Sequence, residues 1–252
     1  MWLCALALFL GAPGLATAAP PCPAQGGTTD ARLSYVIDGD TLILAGGDRV
    51  RLIGIDAPEL GREGAADQPL AAQATVALRA LTGAPGSRLA LQPGSQPRDR
   101  HGRRLAYLFA ADGSNLAEQL LRKGLAYQAA IPPNLRYADC YAEVQTEARR
   151  RGLGLWAGPA LDAAALPPRE GFMRVRGRVE RVHDSRRGLW IELAGGMGLN
   201  IRDDDRPTFA PQSLDSLPGQ EIEALGWVFR VKGTPRMRLR HPSTLLLGPH
   251  RP

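Results

Sequence analysis

Apolar residues crowd two short runs near the start of the chain, VIDGDTLIL at 36–44 and VRLIGIDAPEL at 50–60. Both are rich in β-branched residues, and Gly46-Gly47-Asp48 between them is a turn signal, so the segment predicts a meander of strands. After Pro69 the period changes. LAAQATVALRALTG carries apolar residues at helical spacing and ends on Gly83, a helix-stop residue. RLALQP, the polar turn GSQPRDRHGRR and LAYLFA predict two further strands around a turn. Asn115 stands where it can cap a short helix, LAEQLLRKG, which stops at Gly124. YADCYAEVQTEARRRG reads as a last amphipathic helix, closing at Gly152 and Trp156. Strands first and helices inserted late are the order of a five-stranded OB-type barrel with packed helices, a mainly β fold.

Residues 158–169, GPALDAAALPPR, are rich in Pro and Ala without a sustained apolar face, and read as a linker. Beyond them the alternation is strict. In MRVRGRVERV, Arg174, Arg176 and Arg178 take one side, and Val175, Gly177 and Val179 the other. GLWIELAGG, EIEALGWVFRV and RMRLRH also read as strands. The expectation is a second, small all-β and OB-like barrel over 170–250, following a first unit over 20–157.

Residues 1–19, MWLCALALFLGAPGLATAA, have the apolar core and A-x-A ending of a signal peptide. Gly11, Pro13 and Gly14 break the apolar run, which favours cleavage over a retained membrane anchor. The expected location is periplasmic or secreted, without stable membrane insertion, and the expected state is a monomer. Removing Cys4 with the leader leaves Cys22 and Cys140, an even pair in an oxidising compartment. They are expected to bridge, with two unpaired thiols as the alternative. The net charge of +6 favours polyanionic partners such as nucleic acid, phospholipid headgroups or acidic polysaccharide.

Charge also sits where the most hydrophobic strands end. Asp38 and Asp40 share strand parity, Asp56 stands at a strand exit, Glu59 follows at once, and Arg51 opens the strand that ends at Asp56. Clustered carboxylates are costly unless a cation or donors hold them. Carboxylate and carbonyl oxygens suit Ca²⁺, which tolerates irregular oxygen geometry. A metal with arginines nearby is recurrent equipment for phosphoryl chemistry. Taken singly, Asp-Gly-Asp is ordinary turn chemistry; the combination and its order are what point to a site.

In VIDGDTLIL, RVRLIGIDAPE, RDRHGRRLAYLF, LLRKGLA and EARRRGLGLW, in that order, the chain resembles the thermonuclease (micrococcal or staphylococcal nuclease-like) family over about 33–156. The resemblance implies an OB barrel with helices and Ca²⁺-dependent cleavage of DNA and RNA phosphodiesters, leaving 3′-phosphates and 5′-hydroxyls. By motif, it implies that Asp40 and Asp56 ligate Ca²⁺ with the backbone carbonyl of Ala57, and that Asp38 stands behind them. Glu59 positions or deprotonates the attacking water, and Arg51 and Arg103 bind the scissile phosphate. The family's type member has threonine at the position of Ala57. It has tyrosines where YQAAIPPN and His101 stand here, so nucleotide contacts fall to His101 and Tyr127 as candidates.

In the second unit Arg174, Arg176 and Arg178 share one strand face, and Arg236, Arg238 and Arg240 another. If the strands are neighbours they form a basic sheet surface for nucleic acid, since small barrels bind single strands on such faces. Trp190 and Trp227, among apolar neighbours, are expected in the core. RDDDR at 202–206 is expected to be a polar loop. The alternative to a nuclease is a non-catalytic nucleic-acid-binding module of the same fold.

Overall fold

The computed structural model describes residues 22–61, 64–209 and 214–247; the leader expected at 1–19 lies outside them. The first half of the chain closes into a barrel. β1 (Thr29–Val36), β2 (Thr41–Leu44) and β3 (Arg49–Leu52) run as the expected meander, and β4 (Gly54–Asp56) follows. Next come α1 (Ala71–Thr82), β5 (Arg88–Arg98), β6 (Arg104–Phe109), α2 (Leu116–Arg122), β7 (Tyr127–Ala129) and α3 (Ala138–Arg150). The closed order is β1-β2-β3-β6-β5, while β4 and β7 form a separate antiparallel pair. β3 and β6 are parallel, aligning Val50 with Arg104 and Arg51 with Leu105. Alternation along β3 buries Val50 and Leu52 and turns Arg49 and Arg51 to the other face.

Val50, Leu52, Leu89, Leu91 and Leu108 fill the barrel and meet Leu78 of α1 and Leu120 of α2. Each fully buried side chain of this kind contributes roughly 1.5–3 kcal/mol over an exposed position. Asn115 caps α2 as its sequence suggests, its side chain accepting from the Glu118 amide at 3.2 Å. Cys22 and Cys140 are disulfide-bonded, tying the start of the described chain to α3 across 118 residues.

β8 (Leu161–Asp162), β9 (Gly171–Ser185), β10 (Gly188–Leu193), β11 (Gly198–Ile201), β12 (Glu221–Val231), β13 (Thr234–Arg238) and β14 (Leu245–Leu247) form the second sheet. Its order is β14-β12-β13-β11-β10-β9-β8, and pairing of β12 with β9 closes it into a second barrel. Val175, Ile191, Leu199, Ile222 and Met237 are buried inside. Within the stretch read as a linker, β8 pairs with β9 and Ala163 is buried in this core, because the short side chain fits over Gly177. A third apolar cluster joins the two barrels: Ala148 and Trp156 meet Leu225, flanked by Tyr127, Phe172 and Leu246.

Candidate active site

The turn Asp38-Gly39-Asp40 joins β1 to β2. A Cβ on Gly39 would lie 2.6 Å from the Cβ of Ala57 and 2.7 Å from that of Ala74. Lacking one, the turn presses against α1 and the segment leaving β4. Asp40 uses that approach. Its Oδ2 accepts from the Ala57 amide at 2.8 Å and its Oδ1 from the Thr41 hydroxyl at 2.9 Å. Asp38 Oδ1 accepts from the Asp40 amide at 3.2 Å. Both aspartates are buried, at 4 % and 2 % exposure.

Arg51 reaches these carboxylates from β3. Its Nη2 donates to Asp56 Oδ1 at 2.5 Å, and its Nη1 lies against Asp40 Oδ2. Burial pushes the Asp56 carboxyl above its ordinary value although Arg51 pulls it down, and the charge of Asp38 pushes it up further. Carboxylates here outnumber the guanidinium that faces them. That donor set fits a hard divalent cation with oxygen ligands, which would relieve the excess negative charge. Among the described residues no three carboxylate, imidazole or thiol side chains converge on one point. Asp40 and Asp56, joined through Arg51, are the pair that could hold an ion, with the Ala57 backbone beside them.

Glu59 is exposed just beyond. Gln68 fixes its backbone: the Glu59 amide donates to Gln68 Oε1 at 3.3 Å, and the Gln68 amide donates to the Glu59 carbonyl at 3.0 Å.

The second arginine of the constellation stands on the β5–β6 turn. Asp99 accepts from Arg103 Nε at 2.6 Å through Oδ2, and from the amides of Arg103 and His101 at 2.9 and 2.8 Å through Oδ1. Burial works to raise the Asp99 pKa, but the Arg103 side chain and those amides outweigh it and hold the carboxyl below its ordinary value. Gly102 permits the turn at φ +77°. Arg103, Gly102, His101 and Arg49 line a cavity of about 360 Å³. Arg104 points elsewhere, its Nη1 donating to Asp48 at 3.1 Å. Arg49 is the residue that the sequence reading missed. Its Nε is buried without a hydrogen-bond partner among the described residues. Its parity with Arg51, two positions on, was the available signal.

A model of the family described as staphylococcal nuclease homologue matches residues 49–158. The chain is 34 % identical over 143 residues to a thermonuclease of Staphylococcus intermedius, covering 53 % of this chain and 83 % of that one. The chain belongs to the staphylococcal nuclease homologue family. It is also 33 % identical over 132 residues to the SPbeta prophage-derived endonuclease YokF of Bacillus subtilis (strain 168), covering 51 % of this chain and 44 % of YokF. Endonuclease YncB of the same organism is 33 % identical over 129 residues, with 50 % and 60 % covered.

In this family member several candidate substrate contacts have structural partners instead. Tyr127 donates to the Leu155 carbonyl at 3.1 Å and packs edge-on against Trp156, with centroids 5.1 Å apart. Arg174 is buried, donates to the Gly158 carbonyl and lies 4.9 Å over the Trp156 ring. Both were expected at nucleic acid and instead build the seam between the barrels, because residues distant in sequence cover them. Arg176 and Arg178 are exposed, with Glu221 3.7 Å from Arg176 and opposite Arg178 in register. The two arginine strands are not neighbours, since β9 and β13 flank β12 on opposite sides. Arg238 pairs with Asp205 at 2.6 Å, so RDDDR supplies a buried counter-ion as well as a loop. Trp190 and Trp227, expected in the core, stand on the outer face: Trp227 is 58 % exposed and Arg236 lies 5.1 Å over Trp190.

Proposed function

We propose that the protein is an exported, calcium-dependent nuclease that hydrolyses DNA and RNA phosphodiester bonds and leaves 3′-phosphate and 5′-hydroxyl ends. The observation that carries this reading is the Arg51 fork shared by Asp40 and Asp56, in a chain of the staphylococcal nuclease homologue family. Asp40, Asp56 and the Ala57 carbonyl would hold the ion, and Asp38 orients the turn that carries Asp40. Bound there, Ca²⁺ supplies positive charge against the phosphate oxygens. Arg51 would offer its fork of N–H donors, which Asp40 and Asp56 share here, to the scissile phosphate. Arg103, held by Asp99, approaches the same phosphate from the β5–β6 turn and stabilises the charge that builds as the bond breaks. Glu59, on a loop fixed by Gln68, positions the attacking water and takes its proton. Exposure makes the carboxylate a weak base, so positioning is its larger share.

The chain divides into a leader at 1–19, the nuclease unit at 20–157, a connection at 158–169 and a second unit at 170–250. It acts as a monomer in the periplasm or outside the cell. Among the described residues no helix is long and apolar enough to cross a membrane.

The test is digestion of single- and double-stranded DNA and RNA by the mature protein, with Ca²⁺ and with chelator, beside Glu59→Ala and Arg103→Ala. Cleavage that is lost on chelation and sharply reduced in both variants is expected. Nucleic acid retained but uncut with Ca²⁺, Mg²⁺ and Mn²⁺ would leave the binding-module reading in its place.

A further inference from the structure

The second barrel presents an outer face that its own fold leaves uncovered. Trp190 on β10 is in register with Asn200 on β11, and Asn200 with Arg238 on β13. Val228 pairs with Met237, which sets Trp227 beside Arg238 across β12 and β13. These residues form one row across the sheet, with Trp190 and Trp227 three strand spacings, or roughly 14 Å, apart. In the next row Phe229 pairs with Arg236, and Arg236 with Gly198. Gly198 makes the contact between the rows possible: a Cβ there would meet Arg236 Nη1 and come within 2.8 Å of the Trp190 ring. Without it, the Arg236 guanidinium lies over the indole, 5.1 Å from the ring centroid.

Positive charge borders these rings. Arg238 and Arg240 share one buried carboxylate, Asp205, at 2.6 and 3.9 Å. Arg240 Nε has no hydrogen-bond partner among the described residues, while its Nη2 reaches the Pro132 carbonyl of the first unit at 3.5 Å. Burial, then the charges of Arg238 and Arg202, pull the Arg240 pKa below its ordinary value, against Asp205. The cluster therefore carries more positive charge than its carboxylate balances.

We propose that this face is a stacking platform for unpaired nucleobases of a single-stranded nucleic acid, with Trp227 and the Arg236 guanidinium that rests on Trp190 receiving bases and the surplus positive charge of the Arg238–Arg240–Asp205 cluster drawing phosphates. The choice of nucleic acid rests on the nuclease reading above. The chemistry specifies the rest. An exposed ring and a half-buried one interleaved with guanidiniums match a polymer that alternates π-faces with phosphates. A duplex hides its base faces, so a flat stacking surface selects the single strand. The platform adjoins the nuclease unit through Arg240, and its role is to retain a strand whose neighbouring bonds are cut.

The test uses the mature full-length protein in chelator, so that nothing is cleaved. A fluorescein-labelled strand of twelve thymidines, a baseless sugar-phosphate strand of equal length and a twelve-base-pair duplex are titrated at one salt concentration. The thymidine strand is expected to bind best and to quench tryptophan fluorescence. Trp227→Ala and Trp190→Ala should each weaken it roughly tenfold or more, and Trp227→Phe should recover most of the loss. Should an alanine variant unfold, Arg236→Gln carries the same test. Equal binding of the baseless strand or the duplex, or unchanged affinity in the folded variants, overturns the platform. Selective binding by a protein that cuts nothing with any metal would defeat the nuclease reading alone. Cleavage without base-dependent binding would defeat the platform alone.

Discussion

Tyr127 lies directly opposite Asp56 in the β4–β7 ladder. The same tyrosine packs against Trp156 and stacks on Phe172 of the second barrel, so a carboxylate of the candidate site is backed by the seam between the barrels. Tyr127→Ala should therefore lower stability by about 2–4 kcal/mol, somewhat below a fully buried aromatic truncation because the residue is half-buried. It should also weaken calcium binding, through displacement of β4. Urea melts and a calcium titration of the folded variant check both; a destabilised protein with unchanged calcium affinity would confine Tyr127 to packing.

Gly39 offers a finer perturbation, at the turn that carries Asp40. Gly39→Ala puts a methyl against Ala57 and Ala74 at distances below contact, and overpacking of that kind costs about 1–3 kcal/mol. The Asp40 turn must lift from Ala57, so its 2.8 Å hydrogen bond to that amide lengthens. Activity should fall more at low than at saturating calcium. A uniform fall at every calcium concentration would argue against a metal held at this turn.

The adjacent arginines Arg103 and Arg104 should separate cleanly. Arg103→Ala should reduce kcat/KM by roughly 10²-fold or more, the scale of a lost transition-state charge partner. Arg104→Ala breaks a half-exposed pair with Asp48 and should cost under about 1 kcal/mol of stability with little change in rate. Arg49→Ala should raise KM more than it lowers kcat, since Arg49 lines the cavity beside Arg103 and His101. Steady-state kinetics on one short substrate would compare the three, and equal losses at Arg103 and Arg104 would reverse the assignment.

Asp99 gives the Arg103 turn its acid limit. Its folded pKa is depressed below the ordinary 3.8, so its stabilising contribution is complete above that value and is lost as pH falls through the lower folded value. The turn that holds Arg103 should therefore stay intact through mildly acidic conditions and loosen only in stronger acid. Carboxyl chemical shifts of Asp99 followed by NMR would give the titration directly. The stabilities of wild type and Asp99→Asn should converge at the acid end; a constant difference at all pH values would remove the ionic part of the argument.

The Cys22–Cys140 bond spans 118 residues of sequence, a long loop to leave open in the unfolded chain. Reduction, or Cys22→Ser with Cys140→Ser, should lower stability by about 2–4 kcal/mol. Thermal melts with and without reductant measure it, and coincident melts would show that the bond adds nothing.

The meander and the α2 cap were legible in the sequence because each depends on neighbours a few residues away; the direct pairing of Arg51 with Asp40 and Asp56 was not, since the sequence assigns the aspartates to a metal and Arg51 to the phosphate. Strand parity was expected to align Asp38 and Asp40, and one strand to run from Arg51 to Asp56; instead the two aspartates stand on a turn between β1 and β2, and 49–56 divides into β3 and β4. What was misread depended on distant partners. Arg174 and Tyr127 look available until Trp156 is placed between them. Trp227 looked internal because β12 is apolar on both sides: Ile222, Ala224 and Val228 fill the barrel, while Leu225 is covered by the first unit and Trp227 is not. β11 was overlooked because GLNI is short and opens on glycine. Arg49 was passed over as an ordinary strand start, although alternation already placed it beside Arg51.

Closure of both barrels has a consequence for how copies of this chain meet. An open sheet ends in a strand whose unpaired N–H and C=O groups invite another chain to add itself. Here, among the described residues, β9 beyond Val179 pairs with β10 alone but carries the charged and exposed Glu180, Arg181 and Asp184, and the strands paired on one side only throughout are β4, β7, β8 and β14, none longer than three residues. Such stubs give an incoming strand too little register to grip. A chain rich in β-structure can therefore be crowded with its own copies without supplying the template on which they would align.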